Sequence, residues 1–210
     1  VIAVEIDPAL ADRLPRTMEE FAPQSVGRVA VVQADALEVT ELPAEPSVLV
    51  ANLPYNVAVP VVLHLLATFP TIERMLVMVQ REVADRLCAA PGSRTYGVPS
   101  VKARWFGELR YAGDVGRSVF WPAPNVDSGL VALARRPAPQ GADRAEVFAV
   151  VDAAFSQRRK QLKSALAGVL GGAERSTKVL QSAGVDPSAR GEQLELADFV
   201  AIAQAAIQNE

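Results

Sequence analysis

The 210-residue sequence predicts an α/β fold: a doubly wound, mostly parallel sheet followed by a small all-α C-terminal domain. Three observations carry that expectation. Short runs of β-branched and aliphatic residues alternate with stretches of helical period as far as residue 136. Beyond Pro137, Pro139 and Gly141 the β-rich runs stop and only helical patterns follow, which divides the chain into 1–139 and 140–210. Apolar residues make up 50% and charged residues 21%, the composition of a globular core rather than of a disordered chain.

Each element follows from local chemistry. Residues 1–6 read as a buried strand, and Asp7 with Pro8 caps and starts a helix through Phe21. Residues 28–33 form the next strand, ending at Asp35, and an acidic connector with Glu38, Glu41 and Glu45 leads to a strand at 47–51. An apolar helix at 60–67, a strand at 74–79 and a helix at 81–90 come next, then a breaker-rich loop at 91–96. A helix at 98–106 precedes strands at 109–115 and 130–134, expected to pair antiparallel at one sheet edge. In the last third, a helix begins near Asp143 with Val147, Val151 and Phe155 on one face. Leu162, Leu166, Val169 and Leu170 continue the helical rhythm up to Gly171 and Gly172. Helices at 174–183 and 197–207 complete the pattern, and Asp186-Pro187 reads as a cap with a first-turn proline.

Bulk properties exclude several classes. One cysteine, Cys88, rules out an intrachain disulfide framework and cannot make a structural zinc site alone, so a cytoplasmic location is expected. The most apolar stretch, 57–66, is too short for a membrane span and carries His64, read as a satisfied core or boundary histidine. Net charge is −3, so any nucleic-acid contact must come from local clusters such as Arg158-Arg159-Lys160 with Lys163. The chain opens directly on Val1, without an initiating Met. A further strand and glycine-rich turn are expected upstream, and with them part of a cofactor site.

The chemistry concentrates at strand ends, where open α/β sheets bind ligands. Asn52-Leu53-Pro54-Tyr55 follows the apolar run 47–51, and an Asn-aliphatic-Pro-aromatic tetrad there suits methylation of a planar amine. The Asn52 carboxamide oxygen, with a backbone carbonyl near Pro54, can accept hydrogen bonds from an exocyclic amine, and Pro54 stiffens the turn. Tyr55 can stack on an unpaired base. Phe120 can close over the other base face, while Trp121 packs at the core edge, or the two exchange roles. Glu5 and Asp35 are placed either to accept from a nucleoside ribose and an adenine amine or merely to cap and end their elements. Arg158, Arg159, Lys160 and Lys163 are either phosphate contacts or an ordinary solvated helix face, and Arg94, Lys102 and Arg104 form a weaker second patch. Asp127 and Ser128 cap or brace the turn into the last strand, and Cys88 is read as buried and inert.

These residues resemble the small-subunit ribosomal RNA adenine dimethyltransferase family. The likeness rests on Val4-Glu5-Ile6-Asp7, Asp35-Ala36, Asn52-Leu53-Pro54-Tyr55-Asn56, the stretch 79–87, Tyr96-Gly97, the stretch 120–128 and the stretch 155–160. The resemblance implies a Rossmann-like class I methyltransferase fold that uses S-adenosylmethionine and no metal. Glu5 with Ile6 would meet the cofactor ribose, Asp35 with Ala36 its adenine, and Asn52 the junction of cofactor and target. Leu53 and Pro54 would border the target adenine between Tyr55 and Phe120, and Arg158 to Lys160 with Lys163 would hold RNA. It further implies dimethylation of two adjacent adenine N6 amines near the 3′ end of small-subunit ribosomal RNA, on an immature subunit, by a monomer without membrane contact. Asn125 stands where the family often carries lysine. Two other readings compete: an RNA-binding assembly or transcription factor that turns over little, and a DNA adenine methyltransferase, which the 155–160 module disfavours.

Overall fold

Alternating strands and helices form two hydrogen-bonded sheets in a computed structural model that describes residues 1–208. The elements are β1 (Ile2–Glu5), α1 (Pro8–Phe21), β2 (Ala30–Gln33), β3 (Val48–Asn52), α2 (Ala58–Thr68), β4 (Arg74–Gln80), α3 (Arg81–Cys88), α4 (Val98–Arg104), β5 (Gly107–Val115), β6 (Ser128–Arg135), α5 (Arg144–Ser156), α6 (Leu162–Ala165), α7 (Ala173–Ser182) and α8 (Leu196–Gln208). Short 3₁₀ turns lie at Pro23–Arg28, Arg117–Val119 and Gly191–Gln193. Asp7 caps α1 as its sequence position implies, accepting from the Ala9 and Leu10 amides at 2.8 and 3.3 Å.

β1 and β2 pair in parallel as one two-stranded sheet, and the other four strands run in the order β3-β4-β6-β5. β3 and β4 are parallel, whereas β6 is antiparallel to both its neighbours, so β3, β4 and β5 point one way and β6 opposes them. This is the expected Rossmann-like class I methyltransferase architecture, with its antiparallel pair at one edge. The strict alternation of β4 aims Met75, Val77 and Val79 into the core, where the helix α2 supplies Val61, Val62, Leu65 and Leu66. That core is continuous with Val147, Val151, Phe199 and Ile202 of the C-terminal helices. On the opposite sheet face Val48, Val50 and Leu76 stay exposed, Val50 by 71%.

Several boundaries differ from the sequence pattern. β1 is half-buried rather than buried along its length, because it pairs only with β2 among the described residues. β3 starts and ends one residue late, which makes Asn52 its last member. The apolar rhythm 162–170 yields only the four-residue α6, after which successive turns close on the Leu166 and Ala167 carbonyls and leave Val169 45% exposed. Asp186-Pro187 starts no helix. The Asp186 carboxylate instead takes the Ser188 amide and hydroxyl, and the Pro187 and Ala189 carbonyls receive the Lys163 and Leu162 amides at 3.1 and 2.8 Å.

Candidate active site

Asn52 ends β3 opposite Met78, and the ladder continues one step further through the Leu53 amide and the Met78 carbonyl, 3.0 Å apart. Leu53 is only 8% exposed, so its side chain anchors the tetrad to the core. Its neighbours are free to face a ligand. Asn52 and Pro54 are exposed, Tyr55 is 40% exposed, and the turn 55–57 leads directly into α2. The Asn52 carboxamide makes no hydrogen bond to any described residue, which leaves its oxygen available as an acceptor.

Register places the Phe120 segment at the same end of the sheet. Asn52 faces Met78, Gln80 faces Ser128, and Val115 faces Ser128, so the ends of β3, β4 and β5 and the start of β6 share one edge. The β5–β6 crossover carries Phe120, half-buried, and Trp121, which is 98% exposed and therefore does not pack at the core edge. Asp127 braces this crossover: its carboxylate pairs with Arg117 Nε at 3.2 Å and its carbonyl accepts from the Arg81 amide at 2.9 Å. Arg81 also pairs with Asp114 at 3.0 Å, and Asp114 accepts from the Tyr111 hydroxyl at 2.6 Å. Burial, together with that bond, pushes the Tyr111 phenol up to about 12. Sequence reasoning missed Arg81, Asp114 and Arg117. The Arg81–Asp114 and Arg117–Asp127 pairs join positions 33 and 10 residues apart, and only Arg81, inside the family-like stretch, carried any signal.

Glu5, the last residue of β1, and Asp35, two residues beyond β2, do the capping job considered for them. Glu5 Oε1 accepts from the Asp7 amide at 2.9 Å and Asp35 Oδ1 from the Leu37 amide at 2.8 Å, so one oxygen of each carboxylate stiffens its own turn. The second oxygen of each remains without a partner among the described residues. Two such half-buried acceptors at the carboxyl ends of paired parallel strands fit a ligand that offers ribose hydroxyls and an aromatic amine. Ile6 is 61% exposed beside them, and Ala36 is half-buried against the core. β1 and β2 share no hydrogen bonds with β3. The tie runs through Val39, 7% exposed, whose carbonyl meets His64 Nε2 at 2.9 Å, so His64 is the satisfied boundary residue its surroundings imply.

The cations divide into committed and free. Arg158 is partly exposed and already engaged: its Nε pairs with Glu192 at 2.7 Å and its Nη2 donates to the Arg94 carbonyl at 2.9 Å. Lys160 lies in a turn beyond α5 rather than on a helix with Lys163, because the Lys160 amide closes on the Gln157 carbonyl at 2.8 Å. Arg159, Lys160 and Lys163 are exposed and form no ion pair among the described residues. The second patch dissolves, since Lys102 pairs with Asp152 at 2.8 Å and Arg104 ties the Ser100 and Ala89 carbonyls at 2.8 and 2.7 Å. Cys88 is half-buried, and burial, partly offset by Arg104, pushes its thiol up.

Comparison with known proteins agrees with this geometry. The family model described as ribosomal RNA adenine dimethylase matches residues 1–208. A ribosomal RNA small subunit methyltransferase A of Arthrobacter sp. (strain FB24) is 60% identical over 206 residues, covering 98% of this chain and 70% of that protein. The protein of the same name in Thermobifida fusca (strain YX) is 61% identical over 206 residues, covering 97% and 72%. A dimethyladenosine transferase from Plasmodium falciparum shares the fold, with a TM-score of 0.81 at 22% identity over 96% of this chain and 80% of that one. The 23S rRNA methyltransferase ErmE gives 0.68 at 25% identity, covering 99% and 82%.

Proposed function

The chain belongs to the ribosomal RNA adenine dimethylase family, and from that premise we propose that it moves methyl groups from S-adenosylmethionine to the N6 amines of two adjacent adenines near the 3′ end of small-subunit ribosomal RNA. One observation carries the reading: Asn52 ends β3 exposed and unbonded, with Leu53 anchored behind it and Tyr55 exposed directly after.

S-adenosylmethionine supplies a methyl carbon activated by sulfonium. The free oxygens of Glu5 and Asp35, with Ile6 and Ala36 beside them, hold its ribose and adenine. The target amine is a poor nucleophile because its lone pair delocalises into the ring. Asn52 Oδ1 and the Pro54 carbonyl accept its two hydrogens and favour a tetrahedral nitrogen with an exposed lone pair, so alignment and preorganised acceptors replace a strong base. Water takes the proton. Tyr55 covers one face of the base, a contact worth roughly 1–3 kcal/mol, and Phe120 covers the other. Each transfer breaks the sulfonium–methyl bond as the N–C bond forms and releases a neutral thioether; in the second, the N6-methylamine keeps one hydrogen and engages one of the two acceptors.

Arg159, Lys160 and Lys163 meet RNA phosphates, so residues 140–210 serve as the RNA-holding part and 1–139 as the catalytic part. The substrate in this reading is an immature small subunit and the protein acts as a monomer in the cytoplasm, without a metal or a membrane. Asn52→Ala tests the core of the proposal. It should lower kcat on the order of 10²-fold while leaving the RNA dissociation constant within about twofold, because it removes an acceptor for the reacting amine and no phosphate contact. Equal loss of both would contradict the assignment.

A further inference from the structure

Arg158 stands where three segments of the chain meet. α5 ends at Ser156, and the bend that follows turns the Arg158 side chain back onto the 3₁₀ turn Gly191–Gln193 and the loop 92–96. Nε engages Glu192 Oε2 at 2.7 Å while Nη2 reaches the Arg94 carbonyl at 2.9 Å. The same two segments are joined independently: the Gly92 amide donates to the Glu192 carbonyl at 2.7 Å, and the fully buried Tyr96 donates its hydroxyl to the Leu194 carbonyl at 2.8 Å. Gly191 presses close to α5, since a Cβ there would lie 3.0 Å from Ala154 Cβ. The ion pair is partly withdrawn from water, with side-chain exposures of 39% for Arg158 and 27% for Glu192.

We propose that Arg158 is a positioning residue for ribosomal RNA: with Glu192 and the Arg94 carbonyl it locks the bend 157–161 so that Arg159 and Lys160 point at phosphate. This rests on the RNA-binding role given above to those two cations. Nε is spent on the Glu192 carboxylate and Nη2 on the Arg94 carbonyl, so two of the three nitrogens of the guanidinium are committed within the protein and only Nη1 is left over. Lysine cannot replace it, because one ammonium on a flexible stem does not span two segments with a planar fork.

The test is a set of variants, R158A, R158K, E192Q, the double R158A/E192Q and R159A/K160A, measured on immature small ribosomal subunits for kcat, KM and dissociation constant across a salt series, with melting temperature as the folding control. R158A, R158K and E192Q should each raise KM and the dissociation constant about tenfold with kcat within about twofold, and the double variant should be no worse than either single. R159A/K160A should weaken binding and flatten its salt dependence by one to two ions. Near-normal binding by R158K, with E192Q unchanged or tighter, would identify Arg158 as a direct phosphate ligand and overturn the lock. Normal binding by R158A and E192Q together with weakened R159A/K160A would overturn the lock alone. Unchanged binding by R159A/K160A would overturn the RNA-binding role and the lock with it.

Discussion

Asn52 and Leu53 are adjacent in sequence and opposite in environment, one exposed with an idle carboxamide and the other 8% exposed in the core. That contrast was half legible. The tetrad announced a rigid acceptor at a strand end, but only the pairing of the Leu53 amide with the Met78 carbonyl shows which member is the anchor. Glu5 and Asp35 were legible for the same reason, as acids closing strands. Arg158 was not, because Glu192 lies 34 positions away and no local pattern joins them. Tyr96 gives a pH prediction at this scale. Burial, partly offset by Arg104, pushes its phenol up to about 12, against about 10 in an unfolded chain. The folded state therefore keeps a proton that the unfolded state loses between those values. Stability is retained below about pH 10 and falls as pH rises towards 12. Tyr111 acts in the same direction. Denaturant titrations of Tyr96→Phe should show a shallower alkaline decline than those of the parent, and an identical slope would remove Tyr96 as a source.

The elements that alternation and capping specify formed where they were expected: β4 alternates strictly, and Asp7 with Pro8 opens α1. The elements that failed were those decided by distant partners. α6 stops after four residues because turns take over from Leu166, and 186–189 forms a turn in which Asp186 holds Ser188 while the Pro187 and Ala189 carbonyls receive the first amides of α6. The edge strand β5 depends on a close approach that periodicity does not reveal. A Cβ on Gly107 would press into the Ala134 carbonyl oxygen and lie 2.8 Å from Arg135 Cα, both backbone atoms of the neighbouring strand. Gly107→Ala should thus destabilise the protein by about 1–3 kcal/mol, read as a lower urea midpoint at unchanged slope. An unchanged midpoint would mean that β5 can shift away from β6 at little cost.

Across the whole molecule one apolar cluster links the sheet to the C-terminal helices. Trp105 and Phe106 meet Phe148 edge-on at centroid distances of 6.1 and 6.4 Å, and Lys102 pairs with Asp152 alongside. A composition change at residue 137 suggested where the helical part begins but not that the two parts share a core. Shared packing predicts a single unfolding transition, with tryptophan fluorescence and far-ultraviolet circular dichroism coincident in urea; two separated transitions would show that the halves fold independently. The edge that carries Asn52 and the exposed cations belong to different parts of that body, so in the proposed function RNA held by Arg159 and Lys160 has to deliver an adenine to Asn52. The direct test is to supply labelled S-adenosylmethionine and small ribosomal subunits lacking the modification, then digest the RNA and identify every labelled nucleoside and its position. N6,N6-dimethyladenosine at two adjacent adenines near the 3′ end, lost in Asn52→Ala, is the predicted result. Label on another atom or another RNA, or label undiminished in Asn52→Ala, would contradict it.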